Sequence, residues 1–398
     1  MRRRLVHGTL PCLVGAFALA VPALAIDEPV WSADGETLVG LLRAGRSTSV
    51  SAFRGANGER RWSARLPGRV ARGLESLAAA PDGGSAAISS NGDIYLAAAT
   101  GARRLTRTPA LESGIAFSPD GRHLAFARDR DLWAIELDGA RETRLTSGGI
   151  VRIDGLAPAA RRSAPSGFAW SPDSRSIAFL RAGPGASEAI GVVEILAPVI
   201  RYIDLDRSAA GRQVEAFYWR FDALAIAVVS RPAGDSAEDE LALCQPEKLY
   251  CRRLASRAAV PDDAPFDELI FLTDGLLWTR WDDAAGTSLA FLDTLGRDRG
   301  RIASEGRRLE SVEMVYDESR EVVVATRRVD TPDAPVEWLV LGFSGRAPRS
   351  LGGEPGSELV FSPLHRSFVR TRREGGRVVA QTIETLDGAK LADLPLLN

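Results

Sequence analysis

Lysine is nearly absent from the chain: Lys248 and Lys390 are the only two among fifty basic residues. The arginine excess reads as codon bias of a GC-rich genome. Acidic residues balance it without blocks, and the formal charge is −2. Nucleic-acid binding demands a basic face, so nucleic acid is excluded as a partner. Histidine is scarce too, with three residues: His7, His123 and His365. That is too few for a metal site built from several histidines. Three cysteines, Cys12, Cys244 and Cys251, form no C-x-x-C pair and have no neighbouring histidine, which argues against a zinc or redox centre. The acidic clusters at 235–240 and 262–263 lack the D-x-D-x-D-G spacing of a calcium loop and read as solvated loop charge. No G-x-S-x-G nucleophile elbow occurs. After residue 25 no apolar run is long enough to span a bilayer, and no amphipathic helix longer than two turns is evident. No catalytic residue, metal or cofactor is expected.

The apolar stretch that does occur lies at the start. Arg2, Arg3 and Arg4 precede a small-residue-rich run from Leu10 to Ala23, and Ala23-Leu24-Ala25 has the small-x-small form of a leader-peptidase site. A signal peptide over 1–25 is expected, with the exported chain starting near Ile26. Pro11 and Pro22 interrupt the run, which disfavours an uncleaved anchor, and Pro11 before Cys12 does not fit a lipobox. Loss of the three leader arginines takes the formal charge from −2 to −5. The expected address is the periplasm or the exterior, with no integral membrane segment after cleavage.

One pattern then returns through residues 26–398. An apolar residue and an aromatic lead into a Ser-Pro-Asp-Gly-like turn, and an alternating apolar strand follows. The clearest copies are IAFSPDGRHLAFAR from Ile115 and FAWSPDSRSIAFLR from Phe168. Weaker copies bring the turn anchors to eight: Asp34, Asp82, Asp120, Asp173, Asp222, Asp274, Asp317 and the Leu364 position. In the best copy the Ser118 hydroxyl caps the turn. Pro119 presets φ, Asp120 tolerates the bridge region, and Gly121 takes the position that favours positive φ. A polar turn at Arg128–Arg130, a strand from Asp131 to Leu137, the hairpin dipeptide Asp138-Gly139 and a strand ending in Arg144-Leu145-Thr146 complete the unit. Four short strands in about forty residues describe one propeller blade. The expected fold is all-β: a single eight-bladed β-propeller of four-stranded antiparallel blades over 26–398. Trp133, Trp170, Trp219 and Trp278 fall at strand positions and are expected in the core between sheets.

The FSPDG and WSPDS copies resemble TolB-type, WD40-like propellers. A longer pattern, over roughly residues 70 to 398, resembles the N-terminal propeller domain of the dipeptidyl peptidase IV family. It runs from RLTSGG, through an insertion at Ile150 to Pro165, to FAWSPDSRSIAFLR. Downstream, ELIFLTDGLLWTRWDDAAGTSLAFLDTLG and LGGEPGSELVFSPLHRSFVRT complete it. The resemblance implies that an α/β-hydrolase domain would follow, yet none is encoded before Asn398. A serine triad needs a base beside its nucleophile. His123, at a strand start, and His365, in the degenerate eighth turn, are not placed to serve. The resemblance also implies a glutamate pair in the insertion that holds a substrate's amino terminus. Here the insertion carries Arg161-Arg162 instead, which would repel an ammonium group. Arg152, Arg161 and Arg162 are therefore the candidate binding residues, suited to an anionic group through bidentate hydrogen bonds.

Cys244 and Cys251 flank the turn Gln245-Pro246-Glu247-Lys248, which places them across a hairpin. In an oxidising compartment a disulfide is expected. The functional expectation is a non-catalytic exported scaffold for a protein or peptide partner, using loops near Ile150–Pro165, Ala182–Ala189, Pro232–Glu240 and Thr331–Pro335. The alternative is an accessory or remnant propeller subunit of a dipeptidyl-peptidase-like enzyme whose hydrolase is absent or encoded separately.

Overall fold

Eight copies of the turn become eight sheets. The computed structural model describes residues 29–394 apart from 45–46, 140, 154–166, 182–188, 204–211, 233–237, 261–267, 283–285, 303–305, 330, 332–334, 344–346, 353–356 and 376. The expected leader lies outside the described residues. Each sheet is a meander of four consecutive antiparallel strands. Blades 1 to 8 span 30–65, 74–104, 112–144, 168–203, 212–258, 269–302, 307–350 and 357–393. First strands of neighbouring blades lie against one another, as Leu74–Ala79 of blade 2 does against Glu112–Phe117 of blade 3. The first strand of each blade therefore lines the axis, as in a propeller.

The anchors work as local chemistry dictates. Ser118 Oγ donates to Asp120 Oδ1 at 2.6 Å, the His123 amide donates back to Ser118 Oγ at 2.9 Å, and the Arg122 amide donates to Asp120 Oδ1 at 3.0 Å. Ser32–Asp34 and Ser171–Asp173 repeat the clip. Burial opposes ionisation of Asp120, but the Ser118 and Arg122 hydrogen bonds outweigh it and hold the carboxyl below its usual range. The next residue turns left-handed in each case. Gly121 has φ +71°, and Ser174 and Ala223 accept the same region without glycine's freedom.

One apolar cluster fills each of the eight junctions between blades. Ile88, Tyr95, Val50 and Trp62 join blades 1 and 2, and Phe179, Phe168 and Leu132 join blades 3 and 4. The last junction, between blades 8 and 1, holds Trp31, Leu38, Phe53, Val369 and Ile383. A second device recurs beside these clusters. The indole N–H of a tryptophan just before the turn reaches back to a carbonyl of the preceding blade's first strand. Trp170 bonds Ala116 O at 3.0 Å, Trp219 bonds Ala169 O at 3.1 Å, and Trp31 bonds Val360 O at 3.1 Å. The tryptophan thus supplies both apolar area and a satisfied donor.

Trp170, Trp219 and Trp278 are buried as expected. Trp133 packs against the cluster between blades 2 and 3 as expected but is only half-buried, with the guanidinium groups of Arg128 and Arg144 over its ring, 4.5 and 5.8 Å away. The only α-helix among the described residues is the five-residue Gly68–Arg72.

Cys244 and Cys251 are directly opposed in blade 5 and disulfide-bonded, with the short helical turn Pro246–Lys248 between them. Closing so short a loop restricts the unfolded chain modestly. Reduction is expected to lower stability by about 2 kcal/mol, read as a fall in melting temperature. Two thiols that alkylate without reductant would contradict the bond.

Candidate functional face and its pocket

Strand direction alternates within a blade, so its connections divide between two faces. The Ser-Pro-Asp turns, between first and second strands, share one face with the turns between third and fourth strands. The other face receives the second-to-third hairpins and the blade-to-blade connections. The strand ends joined by residues 154–166, 182–188, 204–211, 233–237 and 261–267 all lie at this second face. It is the loop face.

A repeated ion pair reinforces the loop face where it meets the axis. A glutamate on the first strand meets an arginine at the end of the second strand. The pairs are Glu112–Arg128 at 2.8 Å in blade 3, Glu215–Arg231 at 3.9 Å in blade 5, Glu310–Arg327 at 3.4 Å in blade 7 and Glu358–Arg373 at 3.2 Å in blade 8. Bulges in the first strands of blades 5 and 7 fall at Glu215, Glu310 and Glu313. A bulge re-aims its extra side chain. Burial raises the Glu313 carboxyl above its ordinary range, opposed by a hydrogen bond from Ser311.

Farther out, an Asp-Arg-Thr clip ties third to fourth strands. In blade 3, Arg144 Nη2 lies 2.6 Å from Asp131 Oδ2, and the Leu132 amide donates to Thr146 Oγ1 at 2.9 Å. Blade 2 repeats it with Asp93, Arg104 and Thr106. The hydrogen bond that Arg104 donates to Asp93 raises the Arg104 pKa above its ordinary value. The signal was present in sequence as the recurring Arg-Leu-Thr at 104–106 and 144–146. In blade 6 the guanidinium groups of Arg257 and Arg280 lie over the Trp278 ring, at 4.5 and 4.9 Å, and burial followed by repulsion from Arg257 lowers the Arg280 pKa.

An open cavity of about 400 Å³ lies on the loop face of blade 2, lined by Arg69, Arg72, Gly73, Asn91, Asp93 and Tyr95. The helix Gly68–Arg72 forms one wall, and the Asn91-Gly92 turn and third strand form the other. Asn91 Nδ2 donates to Arg69 O at 3.2 Å and fixes the two walls together. A Cβ at Gly73 would collide with the Asn91 amide, which would have to shift.

Of the residues expected to bind, Arg161 and Arg162 lie outside the described residues. Arg152 follows an isolated bridge between Val151 and Arg181; its amide donates to Leu180 O at 2.9 Å, and its half-buried side chain is engaged with neighbours. His123 packs beside Trp170 across the junction of blades 3 and 4, ring centroids 6.2 Å apart, and His365 Nε2 lies 3.3 Å from Glu36 Oε1 across the junction of blades 8 and 1. Both are junction residues. Sequence reasoning missed the glutamate–arginine rim and the blade 2 cavity. Among the described residues no group of three histidine, cysteine or acidic side chains is arranged to hold a metal, and no helix is long and apolar enough to cross a membrane.

Residues 80–204 match the family described as the dipeptidyl peptidase IV (DPP IV) N-terminal region. The fold is similar to the crystal structure of Porphyromonas gingivalis dipeptidyl peptidase 4, with a TM-score of 0.73 at 15% identity. The likeness covers 94% of this chain and 59% of that one, so the chain spans about three-fifths of that protein's length. The family match runs from blade 2 through blade 4 of the propeller.

Proposed function

We propose that this propeller is an exported, non-catalytic scaffold that binds a protein or peptide partner through its loop face. The supporting observation is one-sidedness. The longest connections join strand ends at that face, and the glutamate–arginine rim and the blade 2 cavity lie there too. The opposite face carries short turns clipped by their own Ser and Asp side chains. Variable connections on a rigid scaffold are where recognition is usually built. The Arg152, Arg161 and Arg162 segment belongs to the proposed surface, and export follows from the expected leader at 1–25. A second reading, an accessory propeller that completes a peptidase with a separately encoded hydrolase, draws on the family match.

The two readings separate in one experiment. The purified exported protein is expected to leave a fluorophosphonate probe unreacted and Xaa-Pro-4-nitroanilides uncleaved, because its sequence offers no nucleophile elbow. Stoichiometric labelling of one serine in this chain overturns the non-catalytic reading. Labelling of a co-purified second chain supports the accessory-subunit reading.

A further inference from the structure

We infer that the cavity on blade 2 is a carboxylate-binding site for a peptide. This rests on the loop face being the binding face and names the group it would take. Three donors converge on the cavity without partners among the described residues: the guanidinium groups of Arg69 and Arg72, both exposed, and the hydroxyl of Tyr95. Everything else in the lining is already engaged. Asp93 is held by Arg104, and Asn91 donates to Arg69 O and Ser90 Oγ. The arginines follow one another at a spacing of three on the helix Gly68–Arg72, which places both on one side of it. Two unpaired guanidinium forks beside a phenolic donor form an anion receptor, since guanidinium geometry matches a carboxylate bidentately.

Charge and surroundings select the anion. Arg69 and Arg72 supply two positive charges, and Asp93, paired with Arg104, stands as a carboxylate in the same lining. The Asp93 carboxylate repels a second negative charge. Beside the cavity, Leu111 packs onto Gly92 and is 77% exposed. A carboxylate attached to an apolar group fits both features, as at the C-terminus of a peptide or on an acidic side chain next to an apolar residue.

The test uses four small probes on the whole exported protein, by titration calorimetry or ligand-observed NMR. N-acetyl-alanyl-leucine carries a terminal carboxylate and N-acetyl-glutamyl amide carries a side-chain one. N-acetyl-alanyl-leucinamide is neutral, and inorganic phosphate is the competing anion. At least one carboxylate probe is expected to bind about tenfold more tightly than the neutral amide, and the stronger of the two identifies the source of the group. The doubly substituted Arg69→Gln/Arg72→Gln protein is expected to lose about tenfold in that affinity with an unchanged melting temperature, because neither side chain supports the fold. Tyr95→Phe is expected to lose about two- to fivefold, an independent reading should the double variant fold poorly. Equal binding of acid and amide, affinity unchanged in the variants, or tighter binding of phosphate overturns the site. Partner binding distinguishes this failure from a wider one. A partner that still crosslinks from Leu111 in the double variant, without carboxylate binding, removes the pocket and leaves the loop face standing.

Discussion

Replacing Trp31 with alanine is expected to destabilise the protein by about 3–5 kcal/mol, more than the same change at Trp170 or Trp219. All three indoles are buried and bond to the preceding blade at nearly equal distances. The difference lies in the chain. Blades 3 and 4, and blades 4 and 5, follow one another in the chain and are joined covalently. Blades 8 and 1 are not, and each sheet uses four consecutive strands, so no described strand is shared across that junction. Closure there brings together residues 329 apart in sequence, and the entropic cost of meeting grows with that separation. Among the described residues, side-chain contacts offset it: the Trp31 cluster, the Trp31–Val360 bond, the bond from Ser362 Oγ to Gly35 O at 3.3 Å, and the His365–Glu36 contact at 3.3 Å. Chemical denaturation of the three variants side by side measures the order. A Trp31 variant no weaker than the Trp170 variant would falsify closure by this contact.

Glu112→Ala is expected to cost about as much for a different reason. The Glu112 side chain has no solvent exposure, and that of Arg128 has 8%. Arg128 Nε donates to Glu112 Oε1 at 2.9 Å; its Nη2 lies 2.8 Å from the same oxygen but off the hydrogen-bond direction. Thr108 Oγ1 donates to Glu112 Oε1 at 2.7 Å, and Thr106 Oγ1 donates to the other oxygen. Removing the carboxylate strands a buried guanidinium with Glu142 as its remaining acidic partner. Breaking one side of a buried pair typically costs about 3–5 kcal/mol, whatever the net worth of the intact pair. A double change of Glu112 and Arg128 to apolar residues of similar volume is expected to recover much of the loss. Full recovery by Arg128→Met alone, with Glu112 left buried, would contradict the pairing.

The parts of the fold legible in sequence are those whose chemistry is local. A Ser-Pro-Asp-Gly turn closes on its own side chains within six residues, so Asp120 and its seven counterparts announced the blades before any packing was known. Cys244 and Cys251 were legible for the same reason, being opposed across a single hairpin. Glu112 and Arg128 were not, because a pair sixteen residues apart leaves no periodic trace and depends on the register of two strands. Trp133 was legible as a junction residue, but its partial burial was not, because an aromatic at a strand position does not reveal which cations stack on it. The cavity depends on a five-residue helix meeting a turn about twenty residues later, and so short a helix carries no hydrophobic period.

The central claim is that the propeller works by binding through its loop face. A photo-crosslinking amino acid placed at exposed positions in the living cell tests it most directly. Arg107 and Leu111 lie on the blade-to-blade connection of the loop face, and Arg122 and Arg175 lie on the clipped turns of the opposite face. The same partner is expected to be captured from positions 107 and 111 and not from 122 and 175. Capture from the turn positions alone, or from none of the four, would contradict the account.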